Sequence, residues 1–73
     1  MGKMVRVNIN QLLKEHGISL RELSRLTDIR HAALSELAND KRQNIHFKHL
    51  ARIAEALGID DMNRIISFID TDE

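Results

Sequence analysis

Arg21 and Arg25 stand four residues apart, so on a helix both guanidinium groups leave one face. Lys41-Arg42 follows in a run that is polar apart from Ile45. Groups of this kind hold phosphate, lysine as a point charge and arginine as a planar fork. Each also has a plainer reading, Lys41-Arg42 as a solvated loop and Arg25 as the ion partner of Glu22 or Asp28. His46 and His49 have an i, i+3 spacing that a metal can use, but no third ligand lies near them and the chain has no cysteine. Asp60-Asp61 reads as a helix cap rather than a catalytic carboxylate pair, and His16 as a partner for the end of a helix dipole. No glycine-rich phosphate loop and no nucleophile beside a base is visible. Neither catalysis nor a cofactor is expected.

The elements that must carry these residues are short. The chain has 73 residues, enough for one domain and one modest core. With two aromatics, Phe47 and Phe68, and no proline or cysteine, that core must come from Leu, Ile and Ala in a reducing, cytoplasmic setting. No apolar run reaches the length of a membrane span, and no secretory signal is seen. Net charge is zero, from 11 basic and 11 acidic residues, but the signs are segregated. Residues 1–59 hold ten basic against six acidic side chains, and residues 60–73 hold Arg64 against five acids. An acidic tail, 70–73, expected to be frayed and solvated, masks a mildly basic body.

Val5, Val7 and Ile9 alternate with Arg6 and Asn8 as a strand does. The period then changes. Ile9, Leu12, Leu13 and His16 share a helical face over 9–16, with Asn8 and Gln11 as a capping box and Gly17 as the terminator. Ser19 and Glu22 make a second capping box ahead of a helix over 20–26, whose buried stripe is Leu20, Leu23 and Leu26. Thr27-Asp28-Ile29 breaks that helix, aspartate being a residue that tolerates positive φ. Ala33, Leu34 and Leu37 predict a third helix over 30–38, ended by Asn39 and Asp40. Phe47, Leu50, Ala51, Ala54 and Leu57 predict a fourth, closed by Gly58. Asp60 caps a short fifth helix holding Met62, Ile65 and Ile66, and a returning strand at Phe68-Ile69 could pair with residues 4–7.

Two short amphipathic helices joined by a three-residue turn, with further helices on either side, form the arrangement in which the second helix enters a DNA major groove. At this point the sequence resembles a known family. Leu23-Ser24-Arg25-Leu26-Thr27-Asp28-Ile29-Arg30-His31-Ala32-Ala33-Leu34-Ser35-Glu36-Leu37 resembles the helix-turn-helix of Cro, lambda repressor and their XRE-like bacterial relatives. The resemblance runs from Ile9 to Ile66, and Met4–Asn8 with Ile66–Ile69 resemble a small bacterial subgroup that adds terminal strands. Ser24 stands where the family keeps a small residue between the two helices. The sequence departs at Asp28, where the family's turn usually has glycine, at Arg30, where a Ser or Thr cap is usual, and at Leu20, often a phosphate-binding Gln.

The resemblance implies an all-α fold: a compact five-helix, lambda-repressor-like domain over 1–73, with the helix-turn-helix at 20–38 and room for a two-stranded terminal ribbon. It implies a sequence-specific regulator of transcription, a repressor, bound to double-stranded DNA as a homodimer, with no membrane or small-molecule partner. Carried over position by position, the base-facing residues are Arg30, His31, Ala32, Ser35 and Glu36. His31 can donate to guanine, Ala32 can pack on a thymine methyl, and Glu36 can accept from cytosine. The backbone contacts fall to Arg21, Arg25, Asn39, Lys41, Arg42, Gln43 and Asn44. Val5, Val7, Ile66 and Phe68 are the expected self-association surface. The competing reading is a protein-interaction module of the same fold, antitoxin-like or partner-regulating, with weakened DNA affinity. Asp28, Glu36, the alanines of the third helix and the zero net charge motivate it.

Overall fold

The computed structural model describes residues 2–39, 41 and 44–71. The chain runs β1 (Gly2–Val7), α1 (Ile9–His16), α2 (Leu20–Thr27), α3 (His31–Ala38), α4 (Phe47–Leu57), a single 3-10 turn (Met62–Arg64) and β2 (Ile66–Thr71). The all-α, five-helix expectation is therefore corrected: among the described residues there are four α-helices and a two-stranded antiparallel sheet. The fifth helix fails because its cap sits one residue later than expected. Asp61, not Asp60, accepts from the backbone N–H of Asn63 at 3.0 Å, and the 3-10 turn that follows is only three residues long, with Ile65 between it and the strand. From Ile66 onward extension is rewarded by pairing with β1, in the register Val7↔Ile66, Val5↔Phe68 and Lys3↔Asp70.

That register also corrects the expected frayed tail. Asp70 and Thr71 belong to β2, and Asp70 accepts from Lys3 Nζ at 2.7 Å; the last two residues lie outside the described ones. The ribbon joins the body at its inner end. Val7 and Ile66 pack on the core, and the Asn8 N–H donates to the Ile65 carbonyl at 2.7 Å.

The core is one cluster of aliphatic side chains: Ile9, Leu12, Leu23, Ile29, Ala33, Leu34, Leu37, Leu50, Ile53, Ile59 and Ile65. Periodicity places most of it, with corrections at the edges of two stripes. In α2 the inward arc is centred between Leu23 and Thr27, so Leu26 lies at its margin, 46% exposed, while Thr27 is buried. In α4 the buried line is Leu50, Ile53, Ala54 and Leu57. Phe47, one turn before that line, is 87% exposed, and Ala51 faces solvent.

The caps follow their chemistry in part. Gly17 and Gly58 take left-handed conformations that end α1 and α4. Ser19 Oγ accepts from the Glu22 N–H at 3.1 Å, but the Glu22 carboxylate turns to Arg25 instead of back to Ser19. No capping box forms at Asn8. Its Oδ1 accepts from Ser67 Oγ at 3.3 Å, tying α1 to β2, and Gln11 bonds to Glu15.

Candidate nucleic-acid interface

The α2–α3 unit is built around its turn. Asp28 has φ 58° and ψ 31°, the left-handed conformation that sends the chain back across α2. Ile29 follows it into the core and anchors the turn from below. The polar groups of the turn are then tied to α2. Thr27 Oγ1 donates to the Leu23 carbonyl at 2.7 Å and accepts from the Ile29 N–H at 3.4 Å. Ser24 Oγ donates to the Ile29 carbonyl, so the small residue that lets the helices approach also locks the turn. From α4, Arg52 Nη1 donates to the Asp28 carbonyl at 3.5 Å. The sequence reading missed Thr27 and Arg52. A threonine ending an amphipathic helix was the available signal for the first; nothing local marks the second.

α3 stands on this base. Ala33, Leu34 and Leu37 are buried, which fixes the helix about its own axis. The opposite side then carries His31, Ala32 and Glu36, all exposed, with Ser35 half-buried between them. Arg30, the residue before the helix, is exposed and provides no side-chain cap. The five residues carried over as base-facing thus form one outward group at the start and along one side of α3.

The positions assigned to backbone contact are less uniform. Arg21 is exposed on α2. Arg25 is engaged: its Nε donates to Glu22 Oε1 at 3.2 Å, and a second guanidinium nitrogen reaches the other carboxylate oxygen. The hydrogen bond from Arg25, helped by its charge, holds the Glu22 carboxyl below its ordinary value, and the same bond raises Arg25. Asn39 is also occupied, its Nδ2 donating to the Ser35 carbonyl at 2.9 Å as a C-terminal cap. Lys41 and Asn44 are exposed beyond the end of α3, and the Lys41 N–H donates to the Glu36 carbonyl at 2.8 Å. Arg42 and Gln43, and the Asp40 expected to end α3, lie outside the described residues. His46 and His49 meet edge to face with ring centroids 5.2 Å apart, and among the described residues no group of three metal-ligating side chains assembles. No described helix is long and apolar enough to cross a membrane.

A helix held from beneath, exposed on its far side and preceded by a second helix across a tight turn, defines a helix-turn-helix DNA-binding domain. Residues 8–70 match the Cro/C1-type HTH DNA-binding domain family, and the chain belongs to that family. The match includes β2 up to Asp70 and leaves β1 outside it. No curated protein matches the chain closely enough to stand as a relative.

Proposed function

We propose that this chain is a cytoplasmic transcriptional repressor that reads double-stranded DNA in a sequence-specific way, as a homodimer, with α3 in the major groove. The observation that carries the proposal is the sidedness of α3: Ala33, Leu34 and Leu37 are buried while Arg30, His31, Ala32 and Glu36 face solvent. Base recognition falls to Arg30, His31, Ala32, Ser35 and Glu36. Arg21, Lys41, Arg42, Gln43 and Asn44 hold phosphates, with Asn39 and Arg25 contributing what their intramolecular bonds leave over. No cofactor is needed for this work, and DNA is the ligand.

One observation favours the competing reading. Arg25, which should be available to phosphate, is held by Glu22, and an interaction module could keep such a pair at no functional cost. Titration against random and genomic duplexes at low and moderate salt separates the two. A regulator saturates, and its affinity falls steeply as salt rises because bound phosphates release their counterions. Absence of binding at low salt rejects the repressor reading.

A further inference from the structure

The positive charge of the body is concentrated in one stretch. From Lys41 to Ala54 the chain holds Lys41, Arg42, Lys48 and Arg52 with His46 and His49, and no aspartate or glutamate. The other six cations of residues 1–59 are matched by six acids, so this stretch carries the whole positive excess. In its middle stands the least covered large apolar side chain among the described residues: Phe47 is 87% exposed. Leu50 and Ile53 are buried and Ile45 packs on the core, which fixes the start of α4 with Phe47, Lys48 and Ala51 turned to water. His46 is exposed beside Phe47, and no acid occupies the first turn of the helix. Glu55, the acid of α4, comes eight residues after Phe47, about 12 Å along the axis.

Phe47 does not serve the fold, since it lies outside the core cluster and the side chains packed on it. Its neighbours narrow what it can meet. The centre of a protein–protein interface is depleted in charge, lysine included. A DNA strand instead alternates anionic phosphates with apolar sugar faces, and cations on either side of an aromatic ring match that alternation. Position agrees. Asn44, assigned to phosphate, is exposed three residues before Phe47, and three residues span no more than about 10 Å.

We propose that Phe47 is a non-ionic contact to duplex DNA, its ring packed against a deoxyribose of the strand whose phosphates Lys41 and Lys48 hold. The contact rests on the DNA-binding reading and deepens it, because it extends the contacted surface from α3 to the side chain that opens α4. The two kinds of contact differ in their response to salt. Lysines on phosphate release counterions, and their share of the affinity falls as salt rises. Burial of an apolar ring releases none, so its share persists.

Anisotropy titrations over a range of salt, on the duplex that selection from a random pool yields, test the contact. Phe47→Ala should raise the dissociation constant roughly tenfold at every salt concentration and leave the slope of log K against log salt unchanged. Lys48→Ala should instead flatten that slope by about one. Phe47→Leu, which keeps an apolar side chain, should recover most of the loss. Hydroxyl-radical cleavage, which attacks deoxyribose, should find sugars protected by the wild type and open to cleavage with Phe47→Ala. The ring stands in water, so wild type and Phe47→Ala should melt alike by circular dichroism, and the loss of affinity is then not one of folding. Equal binding by the two overturns the contact and leaves the DNA-binding reading standing. A Phe47→Ala loss that comes with a changed salt slope overturns it as well. A pool that yields no bound duplex sinks the contact and the DNA-binding reading together.

Discussion

Arg25 and His31 show how a single side chain is committed or left available. Arg25 spends its guanidinium on Glu22, one turn away on the exposed side of α2. Glu22→Gln should therefore release Arg25 and remove a negative charge from the same face, strengthening duplex binding severalfold at low salt; filter binding or fluorescence anisotropy reads this. The pair also sets a small pH dependence. The Glu22 carboxyl is lowered from its usual 4.5, so the pair's contribution is present above that value and is lost as pH falls through the lowered one. Both side chains are well exposed, and the effect should be slight. Any stability difference between wild type and Glu22→Gln at neutral pH should disappear in acid melts. His31 has no such commitment among the described bonds. His31→Ala should change which sequence a random duplex pool yields, whereas Arg42→Glu should weaken binding to all sequences alike. Equal, sequence-blind losses from both would contradict the role given to His31.

At the scale of elements, the turn between α2 and α3 decides where the outward side of α3 points. Asp28 holds it in a left-handed conformation that glycine adopts with less strain. Its carbonyl, not its side chain, is what Arg52 grips. Asp28→Gly should therefore be tolerated, changing stability by no more than about 1 kcal/mol and leaving DNA affinity intact. Ser19→Ala removes the oxygen that accepts from the Glu22 N–H and should cost about 1 kcal/mol. Chemical denaturation measures both. The two caps also show how far sequence patterns reach. Ser19 is followed by the helix it announces. Asn8 has the same pattern, yet its side chain bonds to Ser67, fifty-nine positions away. A local rule cannot anticipate a competitor brought in by the fold.

For the whole molecule, a core of eleven buried apolar residues carries the fold, so each of them matters. Leu34 is fully buried under α3. Leu34→Ala should cost about 2–5 kcal/mol, a large part of the total stability of so small a domain, and duplex binding should fail together with the circular dichroism signal. Phe47→Ala, at a side chain almost wholly in water, should move the melting temperature little. Charge acts at this scale as well. The basic body and the acidic C-terminal residues cancel in the total, while the ion pairs described between body and C-terminal segment are local ones: Asp70 with Lys3 on the ribbon, and Arg64 with Glu15 at 3.3 Å. A net charge of zero therefore says little about the field around α3.

The chain by itself determined four helices, because each stripe of Leu, Ile and Ala is bounded by a residue that stops a helix for its own reasons: Gly17, Asp28, Asn39 and Gly58. It also determined which side of α3 turns outward, since Leu34 and Leu37 leave only one choice. Tertiary structure decided the rest. The segment after Asp61 became a turn and a strand because β1 offered backbone partners there; the alternation of Val5 and Val7 marks β1, but a local pattern does not say where pairing between residues about sixty positions apart begins and takes the place of a helix. Phe47 went to water and Ile53 to the core for a similar reason: spacing fixes which residues share a face, and only the packing of α2 against α4 fixes how that face is turned.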